Sequence, residues 1–283
     1  MKYPKEFNQE PLKEQPGKES EMSIKPIIVR DNYRGSGKLK NKSALITGGD
    51  SGIGKSCAIH FAKEGANVAI IYFDESKDAK DTQKEIEAEG VKCLLLKGDL
   101  KDKEFCKEAV EKTVDTFGQL NVVVNNAAVQ FQEEGLEDIK YENLYETYET
   151  NVYPLFYITK AAMPHLKEGD CIINTTSITA YRGNPTLIDY SSSKGAILSF
   201  TRALAGSLAD KGIRVNAVAP GPIWTALIPA TLKDYKEFGQ DTPIGRAGQP
   251  AELGPAYVFL ASEDSSYVTG QTIHVNGGSI IGG

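Results

Sequence analysis

From Ser43 onward the chain alternates short apolar runs with longer stretches in which apolar positions recur every three or four residues. The short runs fall at 43–47, 67–72, 92–97, 121–125, 171–175, 213–218 and 272–275. They are nearly continuous in apolar character instead of alternating, the pattern of strands covered on both faces in a parallel sheet. Between them lie helical candidates of crossover length at 52–64, 76–89, 102–117, 141–166, 188–210 and 250–261. In the fifth of these, Ile197, Phe200, Leu204 and Leu208 form an apolar stripe at helical spacing. Strand–helix alternation of this kind predicts an α/β fold: a doubly wound, parallel, seven-stranded sheet with right-handed crossovers. No internal repeat and no second core appear, so residues 41–283 read as one domain.

Residues 1–40 have a different texture. They hold 15 charged residues and four prolines, Pro4, Pro11, Pro16 and Pro26, with almost no apolar periodicity. A segment so polar cannot order itself by burial alone. Ile24, Ile27, Ile28, Val29 and Tyr33 nevertheless form an apolar cluster. The polar character alone would suit a floppy tail, whereas this cluster suits an extended arm that orders against another surface, expected to be a neighbouring subunit.

Composition narrows the function. Of 283 residues, 40% are hydrophobic and 25% charged, an ordinary globular composition, and the net charge is −6. The arm carries +3 of that balance, leaving −9 on the body, which argues against nucleic acid or an anionic membrane as partner. No run is long enough to span a bilayer, and the start lacks the apolar core of a secretory signal. Cys57, Cys93, Cys106 and Cys171 lack metal-ligand spacing and the three histidines lie apart from them, so no metal is expected. Buried thiols in a reducing cytoplasm are the expectation. His60 and His274, inside a helix and a strand, read as structural.

The first strand runs into Thr47-Gly48-Gly49-Asp50-Ser51-Gly52-Ile53-Gly54 and then a helix. Glycines at 48, 52 and 54 let the backbone turn sharply and approach a pyrophosphate at a helix N-terminus, and the strand–loop–helix context makes this a Rossmann dinucleotide signature. The second strand ends at Tyr72-Phe73-Asp74, where such a unit meets the adenosine ribose. An acid there bonds the ribose hydroxyls, whereas an arginine would accept a 2′-phosphate. With no basic residue at 72–74 and with acids at Asp50, Asp74 and Glu75, the expected cofactor is NAD, with NADP disfavoured.

After the fifth strand come Ser177 and then Tyr190-Ser-Ser-Ser-Lys194. Positions 190 and 194 are one helical turn apart, so phenol and ammonium share a face. A free tyrosine ionises near pH 10, and a fixed cation beside it favours the phenolate, which suits an acid–base acting on an alcohol or carbonyl oxygen.

These residues resemble the short-chain dehydrogenases/reductases over about residues 40–283. The likeness rests on Thr47-Gly-x-x-x-Gly52-Ile-Gly54, Asn125-Asn-Ala127, Asn151, Ser177, Tyr190-x-x-x-Lys194 and Pro220-Gly221-Pro-Ile-Trp-Thr225. The chain is similar in particular to the bacterial general-stress-type members that carry an N-terminal extension. The resemblance implies that Tyr190 exchanges the proton and that Ser177 orients the substrate oxygen. Lys194 would hold the nicotinamide ribose, with Asn151 keeping a water relay beside it. Asp99 and Leu100 would contact adenine, Asn125 and Ala127 would back its ribose, and Pro220, Gly221, Ile223 and Thr225 would meet the nicotinamide. Ala128 departs from the glycine most frequent at that place, and Tyr72 and Phe73 replace common ribose-discriminating residues.

Gln130, Ser177, Tyr181, Trp224 and Leu227 are the expected substrate pocket, with Phe131, Asn184 and Ile188 completing its wall. Residues 222–245, with Ile228, Pro229, Leu232, Tyr235 and Phe238, read as a mobile apolar lid, although Tyr235 and Phe238 suit a subunit contact equally. The absence of a basic cluster disfavours acyl-carrier or phosphorylated substrates and points to a small neutral alcohol, ketone, aldehyde or sugar. An NADPH-dependent carbonyl or 3-oxoacyl reductase and a non-catalytic dinucleotide-binding scaffold are the alternatives. Relatives of this kind pair their long helices and C-terminal strands, so a homotetramer is expected, with Ala196, Ala203 and Gly206 allowing close packing and the end 276–283 buried.

Overall fold

The computed structural model describes residues 3–280. In chain order its elements are β1 (Ser43–Thr47), α1 (Gly52–Lys63), β2 (Asn67–Tyr72), α2 (Ser76–Glu87), β3 (Cys93–Lys97), α3 (Lys103–Phe117) and β4 (Val122–Asn125). There follow α4 (Tyr141–Asn151), α5 (Tyr153–Ala162), β5 (Cys171–Thr175), α6 (Thr179–Arg182), α7 (Ile188–Leu208), β6 (Arg214–Pro220), α8 (Leu227–Thr231), α9 (Gly254–Ala261) and β7 (Thr272–Val275). The strands form one seven-stranded sheet in the order β3-β2-β1-β4-β5-β6-β7, with every pairing parallel.

Every residue of β1, β4 and β5 is buried. Because successive side chains of a strand point to opposite faces, Ala44 and Ile46 join one core with α1 and α9, while Leu45 joins the other with α3 and α5. Sequence order reverses between β1 and β4, and there the loops that follow the strands splay to opposite sides and leave a crevice.

The 141–166 stretch is two helices, not one. Pro154 lacks the N–H that a continuous helix needs, and the break falls at Val152. Helix α7 also differs from the expected stripe. It buries Ile197, Thr201, Ala205 and Leu208, and Phe200 instead meets Phe156 edge-on at 4.7 Å. Helix α3 follows local rules: the Asp102 side chain accepts from Glu104 and Phe105 N–H, and Gly118 ends the helix in a left-handed conformation.

The arm orders against the body of its own chain. Phe7 stacks on Trp224 with ring centroids 3.8 Å apart, and both are almost fully buried, at 1% and 0% exposure. Met22, Ala226, Ile228, Tyr235 and Ala247 complete this third cluster. The Phe7 N–H donates to the Lys236 carbonyl, the Leu12 N–H to the Pro229 carbonyl and the Trp224 indole N–H to the Ile24 carbonyl, each at 2.9 Å. Farther on, Ile28 and Val29 pack against the α1–α9 core, and the Tyr33 hydroxyl donates to Glu64 at 2.6 Å. Residues 281–283, the end of the run expected in a subunit contact, lie outside the described residues.

Replacing Phe7 by Ala is expected to weaken arm docking by about 3 kcal/mol through the cavity left against Trp224. Trp224 is the chain's one tryptophan. A red shift of its emission with greater quenching by acrylamide reads the change directly, and unchanged emission would refute it.

Candidate active site

The crevice at the carboxyl ends of the strands is a continuous cleft. At one end lie Gly48, Asp50, Ser51, Gly52 and Ile53 of the loop after β1, with Tyr72 and Phe73 after β2. Asp99 and Leu100 after β3 and Ala127 after β4 line its middle, and Ser177, Tyr190 and Lys194 line the far end. Pro220, Gly221, Ile223 and Thr225 after β6, with Gln130 and Leu227, close the remaining side.

The loop is shaped by absent side chains. A Cβ on Gly54 would stand 1.9 Å from the Gly48 carbonyl oxygen, so Gly54 sits behind the loop and holds its curvature while lining nothing. The loop is clamped to the neighbouring strand. Thr47 Oγ1 accepts the N–H of Asn126 at 2.9 Å and of Ala127 at 3.1 Å. The Asn126 amide returns bonds to the carbonyls of Thr47 and Gly48. Asn125, expected in contact with a ribose, is turned inward to Asn174 at 2.9 Å and does not reach the cleft.

At the far end, Lys194 is 1% exposed, donates from Nζ to the Thr175 carbonyl at 3.0 Å and lies 5.4 Å from the centre of the Tyr190 ring. Burial lowers the lysine to about 7, because an ammonium out of water is costly. Burial raises Tyr190 to about 12, partly offset by the Ser177 side chain beside it. Tyr190 is therefore a phenol at neutral pH, next to a lysine whose hold on its proton is weakened by burial. Ser177 Oγ accepts from the N–H and hydroxyl of Thr179, which fixes its direction. Asn151 is fully buried at the end of α4. Its amide pairs with the main chain of Val129 at 2.8 and 2.9 Å and donates to Ser193 at 3.2 Å, so it braces the site from behind.

Other expected contacts also fall outside the cleft. Asp74 leaves the cleft because Lys97, across the strand ends, holds its carboxylate at 2.7 Å and depresses its pKa. Its neighbour Glu75 lines the wall in its place. Tyr181 faces away, edge-on to His274 at 4.7 Å, because Thr179 and Arg182, three apart on α6, take the cleft side. Trp224 points opposite to Ile223 and Thr225, as alternation in an extended segment requires, and serves the arm. Phe131 and Ile188 also lie off the cleft, whereas Asn184 lines it.

Two features had no sequence signal. Gln15, Pro16 and Gly17 of the arm line the cleft, and so does the exposed Arg182 at its mouth. Glu75 carries a buried oxygen, Oε1, without a partner, and Asn125 Oδ1 is likewise unsatisfied. Burial, then the charge of Glu75, raises Asp50 to about 7. The lone acceptor on Glu75, which unlike Asn125 lines the cleft, fits a dinucleotide beside the glycine-formed cradle, with a hydroxyl to bond the acid and a pyrophosphate for the loop. Among the described residues no cluster of metal-ligating side chains occurs, and no helix is long and apolar enough to cross a membrane.

Residues 48–279 match the family profile described as Enoyl-(Acyl carrier protein) reductase. General stress protein 39 of Bacillus subtilis (strain 168) is 57% identical over 99% of this chain and 98% of its own. Glucose and ribitol dehydrogenase of Daucus carota is 46% identical over 98% of each chain. Among solved structures, a short chain dehydrogenase from Burkholderia cenocepacia J2315 in complex with NADP superposes with a TM-score of 0.80 at 29% identity, covering 85% of this chain and 98% of the other.

Gly54→Ala would force the Gly48 backbone outward. The expected result is a folded protein whose dinucleotide affinity falls more than about tenfold, at least about 1.4 kcal/mol. Calorimetric titration measures it, and wild-type affinity in the variant would contradict the cradle.

Proposed function

Since the chain belongs to the short-chain dehydrogenase/reductase family and is an oxidoreductase of that type, we propose that it transfers hydride between NAD and a small neutral alcohol or carbonyl compound, with Tyr190 as the acid–base. The observation that carries this reading is the convergence of Ser177, Tyr190 and Lys194 on the same cleft as the glycine loop. The nicotinamide supplies the hydride; the chain's own residues orient and move protons. In the reductive direction the Tyr190 phenol donates its proton to the substrate oxygen, which Ser177 orients by a hydrogen bond. The charged form of Lys194, 5.4 Å from the ring, lowers the cost of the resulting phenolate. Running backward, the phenolate takes the proton of an alcohol. A non-catalytic scaffold has no use for these three groups turned to one cleft.

The substrate end mixes apolar Leu227, Ile228 and Leu232 with polar Gln130, Thr179 and Thr186, which suits a small polyol or aldehyde. The plant relative named for glucose and ribitol supports the same class. The preference for NAD rests on Asp50 and Glu75, whose acceptor oxygens suit ribose hydroxyls better than a 2′-phosphate. The contrary reading, an NADPH-dependent carbonyl reductase, draws on Lys97 and Lys18, both of which act electrostatically on Asp74, and on the NADP named for the Burkholderia relative. Cytoplasmic residence is supported by four free cysteines, three of them buried. A homotetramer is supported by exposed Tyr153 and Phe156 beside α7, where a Cβ on Gly195 or Gly206 would meet nothing.

Tyr190→Phe is expected to lower kcat for reduction of a small aldehyde by about 10³-fold while NADH affinity holds. Turnover within about threefold of wild type would remove Tyr190 from the chemistry. In a parallel titration NADH should bind at least about tenfold more tightly than NADPH, and Glu75→Gln should narrow that ratio. Tighter NADPH would transfer the adenosine end to Lys97 and Lys18.

A further inference from the structure

The arm does more than cover apolar surface, because three of its residues belong to the cleft. Gln15, Pro16 and Gly17 line the same cavity as Ser177 and Tyr190. The Gln15 side chain pairs with the main chain of Gln130 in both directions, donating to its carbonyl at 2.8 Å and accepting its N–H at 2.9 Å. The Gln130 side chain then donates to Thr231 Oγ1 at 2.8 Å, and Thr231 donates to the Leu227 carbonyl at 2.6 Å. This chain of bonds bridges the arm, the loop after β4 and helix α8 across the mouth of the cleft. At Gly17 the arm passes so close to α8 that a Cβ would stand 2.4 Å from the Ala226 carbonyl oxygen. On either side the contact is fastened: Phe7 is stacked on Trp224, and farther on Glu19 accepts the Gly52 N–H at 2.9 Å and pairs with Lys55.

We propose that the arm is a fixed wall of the active site that limits substrate size. Gln15 and Gly17 hold it across the mouth, so that small free alcohols and carbonyls enter while acyl groups on a long thioester arm are turned away. The physical reason is that segment 15–17 is tied at both ends and along its length, so admitting a long substrate requires breaking several hydrogen bonds and unstacking an aromatic pair. The same wall accounts for how a chain matching a profile named for carrier-borne substrates could serve small ones. The inference rests on the proposed oxidoreductase reading and is tested apart from it.

The experiment compares kcat/KM for DL-glyceraldehyde and for the neutral thioester acetoacetyl-N-acetylcysteamine in the full-length protein, Gln15→Ala and Gly17→Val, with each nicotinamide cofactor. A neutral thioester separates size from charge. Trp224 emission, recorded on the same samples, reports whether the Phe7 end of the arm remains seated. The wild type is expected to favour the aldehyde at least about 100-fold, and both variants to lose about tenfold or more of that discrimination, through KM more than kcat. Discrimination unmoved in both variants, or a wild type that reduces both compounds equally well, overturns the wall while leaving the oxidoreductase reading intact. A wild type that reduces neither compound overturns the functional reading and the wall together.

Discussion

A strand bonded to parallel neighbours on both sides and buried on both faces can present polar groups only at its ends. That constraint governs this molecule. The body's strands are too apolar to face water, so helices must cover both faces of the sheet, and the chain must wind outward in two directions from β1 and β4. Where the winding reverses, the loops part, and Gly48, Asn126 and their neighbours, held from behind by Thr47, become the floor of a cleft. The glycine loop, the Ser177 turn and the Pro220–Gly221 turn are all consequences of strands that end at one level.

The cleft collects groups that are expensive elsewhere. Lys194 in particular is held out of water, with only a carbonyl as partner, and its affinity for a proton drops accordingly. In the unfolded chain it would titrate near 10.5, so the unfolded state binds more protons between about pH 7 and that value. The lysine therefore costs stability in full below about pH 7, and the cost is relieved as the pH rises. Buried titratable groups held at such a cost are concentrated at functional sites. At the opposite end Asp50 and Glu75 are a second such investment, with an acceptor left open.

The arm shows how a polar segment can order without a core of its own. Its few apolar residues pack on two clusters of the body, and its main-chain N–H groups are taken by carbonyls and side chains of Lys236, Pro229, Gln249 and Asp78. Residues of the 222–245 region, expected as a mobile lid, share one of these clusters with Phe7 and Met22. Lid and arm are one layer.

Much was legible from residue order alone. Continuous apolar runs separated by helical patterns determined the parallel sheet, and glycines 48, 52 and 54 at a strand–helix junction determined the anion cradle, because each depends on local backbone geometry and short-range periodicity. The Tyr190–Lys194 spacing determined a shared face for the same reason. Which side of a wall a residue takes was decided only by folding. Asp74 was captured by Lys97 across two strands, Trp224 by Phe7 from the far end of the chain, and Tyr181 was turned from the cleft by the short helix that carries it. The N-terminus of α1 makes the point most plainly: the adjacent Ser51 does not cap it, and Glu19, 33 residues upstream, accepts the Gly52 N–H. Contacts between segments so far apart leave no periodic trace in sequence, since they exist only once the sheet has brought the segments together.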